Sequence, residues 1–181
     1  VNYALKLREK HDKVNIADLD IVNPYFRSKD SEKYLEEKGI HLISSEFANS
    51  NVDVPAMPAE AYAIIDDLSI RAVVDVGGDD RGAYALGRYA DSIKAEDNYE
   101  MLFVFNKYRP LTPDAESAFE IMGEIEAACK MKFTGIVNNS NLGEMTTPED
   151  VLSSVAAAQR LSEISGLPIK MTTVAEKIVN N

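Results

Sequence analysis

Carboxylates, glycines and carboxamides recur just beyond short apolar runs in this chain. These are the residue types that hold metal ions, phosphates and the edges of bases. Asp18 and Asp20 follow Val14-Asn15-Ile16-Ala17 and stand two positions apart. In an extended chain residues i and i+2 face one way, so both carboxylates can reach one ion or one attacking water. Asp75 follows Ala72-Val73-Val74, where a carboxylate can hold the hydration shell of a magnesium ion that bridges phosphate oxygens. Gly77-Gly78 comes next and lets the backbone approach a terminal phosphate with no side chain in the way. Asn106-Lys107 follows Leu102 to Phe105, and Asn138-Asn139 follows Ile136-Val137. A carboxamide offers one donor group and one acceptor, the pattern that the adenine edge displays.

Each signal alone has an ordinary structural reading. A single Asp after a strand is commonly a loop or helix-cap residue. Gly77-Gly78 alone can be a tight turn, and Asn138-Asn139-Ser140-Asn141 alone can be turn chemistry. Their order is what points to a nucleotide site: a carboxylate pair, Asp-x-Gly-Gly, Asn-Lys and Asn-Asn, all placed after apolar segments. The remaining candidates are weaker. His11 and His41 read as surface or satisfied histidines, Cys129 as a small core residue, and Asp66-Asp67 and Asp79-Asp80 as solvated charges. Tyr25-Phe26-Arg27 reads equally as a partner contact or as loop packing.

The elements that must position these residues alternate along the chain. Helical spacing covers 2–11, 31–38 (closed by Gly39), 58–68 and 82–93. Thr112-Pro113-Asp114 predicts a helix with Thr as N-cap and Pro at its first position, and Thr147-Pro148-Glu149-Asp150 predicts another that ends at Gly166. Strand-like runs cover 13–18, 40–43, 70–76, 99–105, 133–137 and 167–172. Six strands separated by helices predict one α/β domain over 1–181, with a doubly wound, mostly parallel sheet covered on both faces. In such sheets ligands bind beyond the carboxyl ends of the strands, where the candidate residues fall.

Composition removes some classes. The formal net charge is −11, and the lysines and arginines are scattered among acids. That field disfavours polyanions, so DNA and anionic membranes are poor partners. No apolar stretch has the length of a membrane span, and Val1 to Lys6 does not read as a signal peptide. A single cysteine excludes an internal disulfide framework and suits a reducing cytoplasm.

Together these motifs resemble the chromosome-partitioning and septum-site ATPase family (ParA/MinD), a branch of the P-loop proteins that also includes ATP-dependent synthetases. In that family a Gly-rich loop ending in Gly-Lys-Thr-Thr leads into a helix reading like Ala-Val-Asn-Leu-Ala, which Val1-Asn2-Tyr3-Ala4-Leu5 resembles. The family's Asp-x-Asp matches Asp18-Leu19-Asp20. Its magnesium-associated Asp and switch glycines match Asp75 and Gly77-Gly78, and its adenine-flanking asparagines resemble Asn106 and Asn138 or Asn139. The resemblance implies ATP and magnesium as cofactors. Asp20 would be the catalytic residue that orients water and a magnesium neighbour beside Asp75. Asp18, Gly77, Gly78, Asn106, Asn138 and Asn139 would line the nucleotide.

Two departures qualify this. No Gly-x-x-x-x-Gly-Lys-Ser/Thr occurs in these residues, so the phosphate loop and its strand are expected before Val1, and the chain as it stands is expected to bind nucleotide poorly. Without that strand, the runs 72–74 and 102–105 are expected to pair directly in parallel, because buried unpaired backbone groups are costly, or else to receive a strand from a second copy. Asn106-Lys107-Tyr108-Arg109 also differs from the guanine motif Asn-Lys-x-Asp. Arginine offers no acceptor to guanine, so GTP is disfavoured. The function implied is a nucleotide-dependent switch for a partner protein, with homodimerisation possible. The alternatives are ATP-dependent ligation of a small molecule on the same fold, or a non-catalytic interaction scaffold.

Overall fold

The computed structural model describes residues 1–19, 31–44, 67, 69–78 and 80–179. The chain is mixed α/β and divides into two compact units, Val1–Glu96 and Asp97–Asn181. All six expected strands are present, and among the described residues their pairings are parallel and form two three-stranded sheets.

The first unit contains α1 (Asn2–Arg8), β1 (Val14–Asp18), α2 (Glu32–Glu37), β2 (Ile40–Ser44), β3 (Arg71–Asp75), α3 (Asp80–Gly87) and α4 (Ala90–Ala95). Its sheet has the order β2-β1-β3. Alternation along β1 sends Val14 and Ile16 to one face, where Ala4 of α1 and Leu35 of α2 pack with Ile40 and Leu42. Ala17, Ile43 and Val74 form a smaller cluster. Period-two side chains of one strand thus serve both faces, as a covered parallel sheet requires.

The second unit contains β4 (Leu102–Phe105), α5 (Ala115–Cys129), β5 (Gly135–Asn138), a 3₁₀ turn (Gly143–Met145), α6 (Pro148–Ser165), β6 (Ile169–Thr172) and α7 (Glu176–Val179). The order is β4-β5-β6, with an irregularity in the β5–β6 register at Ile136/Val137. All four residues of β5 are buried, as expected of a central parallel strand. Phe103 and Phe105 of β4 are buried, and Phe103 meets Phe133 edge to face at 5.3 Å.

Several boundaries differ from the sequence expectation. The helix over 82–93 is two helices, because Arg88 and Tyr89 donate to Ala85 and Leu86 in three-residue turns that break the ladder after Gly87. The strand over 99–105 begins only at Leu102. Met101 is instead tied to Thr134, whose hydroxyl accepts its N–H at 3.0 Å. The N-cap of α5 is Asp114, whose carboxylate accepts the Ser117 N–H at 2.8 Å, while the Thr112 hydroxyl donates to the Asn106 carbonyl. For α6 the expectation holds: Thr147 caps it, Pro148 opens it, and Gly166 at φ +71° closes it. The helix expected over 58–68 lies outside the described residues, Asp67 apart.

Direct pairing of β3 with β4 is not found among the described residues; β3 pairs with β1, and β4 with β5.

Candidate functional site

In the first unit, β1 and β3 end together. Asp18 and Asp75 are register partners across the parallel ladder, as Ala17 and Val74 are one step before them. Register partners send their side chains to the same face, so two carboxylates stand side by side at the carboxyl end of the sheet. The main chain just beyond is held as well, because the Leu19 N–H donates to the Asp75 carbonyl at 2.7 Å and Leu19 is buried. Asp18 is half-buried and Asp75 exposed. Among the described residues no group of three or more His, Cys, Asp or Glu side chains could hold a metal ion. Two carboxylates do suit magnesium, which commonly keeps several waters and takes one or two protein carboxylates. Asp20, Tyr25-Phe26-Arg27 and Asp79 lie outside the described residues.

Gly77 is buried and Gly78 exposed. Among the described residues nothing lies within 4 Å of where a Cβ on Gly78 would stand. Gly82, in the first turn of α3, is different. A Cβ there would lie 2.8 Å from the Gly77 carbonyl oxygen and 2.9 Å from its nitrogen. The helix therefore presses directly on the loop after Asp75, and a glycine makes the approach possible. The sequence reading does not single out Gly82. Its signal is a glycine in the first turn of a helix, four residues after a glycine pair.

The second unit gathers the carboxamides. Asn106 follows β4, Asn138 ends β5, Asn139 comes next, and Thr173 follows β6. Ladder-like bonds continue past the strands: Asn139 N–H to the Phe105 carbonyl at 2.8 Å, and Thr173 N–H to the Asn138 carbonyl at 2.9 Å. Three strand ends are thus held side by side. The side chains then cross-link the loops. Asn106 donates to the Asn141 carbonyl at 3.2 Å and accepts from the Tyr108 and Asn141 N–H groups at 3.0 and 3.3 Å. Asn138, 1% exposed, donates to the Ser154 hydroxyl at 2.8 Å and accepts from the Ser140 N–H at 3.2 Å. Asn139 accepts from the Thr173 hydroxyl, and its amide nitrogen has no hydrogen-bond partner among the described residues.

The three carboxamides therefore differ in what they can offer a ligand. Asn106 and Asn138 use both donor and acceptor to build loops, while half-buried Asn139 keeps a donor. Thr173, Ser140 and Ser154 join the cluster although the sequence reading does not select them. Thr173 follows the last strand, so the strand-end rule also reaches it. Ser154 carries no sequence signal, because its contact spans from β5 to α6.

Beside the cluster, the Tyr108 hydroxyl reaches the Asp150 carbonyl at 2.9 Å and the Ser153 hydroxyl at 3.0 Å. Lys107 Nζ sits 5.5 Å from the Tyr108 ring centroid and donates to the Ser153 carbonyl at 3.3 Å. Asp150 closes the capping box of α6. The Thr147 backbone N–H, then its hydroxyl, with smaller help from Tyr108 and Lys107, hold the Asp150 carboxyl below the usual carboxylate range. The Ser117 backbone N–H and then the Ser117 hydroxyl do the same for Asp114. Asp67 is lowered by the Ser69 hydroxyl and then its backbone N–H. The three shifts belong to turns and caps and mark no acid–base group.

The chain matches no protein-family model, no curated protein and no solved structure.

Proposed function

We propose that this chain is the body of an ATP- and magnesium-dependent switch of the P-loop α/β class, similar to the ParA/MinD proteins, whose readout is a partner protein. The observation that carries the reading is the register of Asp18 with Asp75 at the carboxyl ends of neighbouring parallel strands, with Gly77-Gly78 immediately after. That is the placement open α/β sheets give to ligand-binding residues. Asp75 and Asp20 would support a hydrated magnesium ion with Asp18 lining the nucleotide beside them, and Gly77-Gly78 would offer backbone to a terminal phosphate. Magnesium would supply charge neutralisation for phosphoryl oxygens. Asp20 is assigned to orient water, and Asn139 to meet the base. The reading needs a phosphate-gripping loop of the Gly-x-x-x-x-Gly-Lys-Ser/Thr kind, which does not occur in these residues.

A second reading has one observation behind it. Asn106 and Asn138 are committed to holding loops together, which a non-catalytic scaffold needs as much as a nucleotide site does. Phosphate release and labelled-nucleotide titration on the protein encoded by the whole gene separate the two. The switch reading expects ATP to be preferred over GTP, since Arg109 stands where a guanine site needs an acceptor. It expects Asp20→Ala to lower turnover by about 100-fold or more with little loss of binding. Equal affinity for GTP, or full turnover in the variant, contradicts it. Absence of ATP binding in the whole protein selects the scaffold.

A further inference from the structure

The direction of the hydrogen bond in the buried pair Asn138–Ser154 is fixed by a second bond. The Ser154 hydroxyl donates its only proton to the Val151 carbonyl at 2.6 Å. It can therefore act only as an acceptor toward Asn138, whose NH₂ group stands 2.8 Å away. The Asn138 carboxamide oxygen is thereby turned to the Ser140 N–H at 3.2 Å. Ser140, 2% exposed, passes the arrangement on, for its hydroxyl accepts the Lys107 N–H at 3.1 Å. One hydroxyl on α6 thus orients a side chain of β5, the loop after β5 and the first residue of the β4–α5 loop but one. Asn139 lies between Asn138 and the Ser140 that it holds.

We infer that Ser154 is a positioning residue: through Asn138 it sets the conformation of the 139–146 loop, which carries Asn139. The inference rests on the proposed nucleotide site for its functional half. Its structural half stands on the bonds above. Removing the hydroxyl leaves a buried NH₂ without a partner and frees the carboxamide to turn, so the loop loses its fixed oxygen at Ser140.

The test uses the whole protein with Ser154→Ala, and with Ser140→Ala as the milder variant should the first fail to fold. Amide hydrogen exchange is read over 139–146 and over α5, and binding is measured for ATP and for inorganic tripolyphosphate, which has no base. Exchange in 139–146 should quicken about tenfold while α5 stays unchanged. Affinity for ATP should fall roughly tenfold while that for tripolyphosphate holds within about twofold. A general loss of stability would weaken both ligands alike and quicken both segments. Unchanged exchange over 139–146, or equal losses for ATP and tripolyphosphate, overturns the positioning role. If the unaltered protein binds no ATP, the nucleotide reading fails, and the exchange comparison alone still decides for or against Ser154.

Discussion

A methyl group at Gly82 would come within 2.8 Å of the Gly77 carbonyl oxygen, closer than van der Waals contact allows and against backbone that has no rotamer to yield. Gly78, by contrast, faces open space. The two glycines of the Asp75 loop region thus separate by role, one packed under and one free. Gly82→Ala should destabilise the fold by about 1–3 kcal/mol in chemical denaturation, as overpacking does. Gly78→Ala should stay within about 0.5 kcal/mol of the parent. Equal losses in the two variants would mean that α3 does not press on Gly77. The same scale shows what was legible in residue types. Asp18, Asp75 and the three asparagines do fall at strand ends, because an apolar run followed by a polar residue is a local pattern. That Asn138 faces α6 and Asn139 keeps a donor was not legible, since both depend on partners brought in by the fold.

At the scale of elements, the N-termini of α5 and α6 are closed by carboxylates that carry depressed pKa values. Asp114 accepts the Ser117 N–H, and Asp150 accepts the Thr147 N–H at 2.8 Å. A carboxyl whose folded value lies below its unfolded value of 3.8 stabilises fully above that value and loses the effect as pH falls through the folded one. Stability of the parent should therefore drop more steeply than that of Asp150→Asn as pH is lowered from about 5 to about 2.5. Parallel denaturation curves over that range would remove Asp150 from the account of the cap. Helix ends were half legible. Thr147-Pro148 reads correctly because cap, proline and Asp150 all agree, whereas Thr112-Pro113-Asp114 offers two capping residues and the structure uses the second. Strand existence followed from apolar runs, but their lengths did not, because Tyr99 to Met101 is apolar enough for a strand and yet enters no ladder.

For the molecule as a whole, the alternation of strands and helices announces parallel pairing, and the four pairings among the described residues are parallel. The order of strands was beyond reach, since pairing joins segments dozens of residues apart and no local pattern encodes it. Among the described residues β3 pairs with β1 and β4 with β5, partners that no local pattern announces. The central claim is that Asp75, beside Asp18, serves a magnesium-bound nucleotide, and magnesium dependence tests it most directly. ATP affinity of the whole protein should be measured by titration calorimetry with and without magnesium, for the parent and for Asp75→Asn. The account predicts that magnesium tightens ATP binding by about tenfold or more in the parent and leaves the variant within about twofold of its magnesium-free value. The same magnesium increment in parent and variant, or none in either, would contradict it.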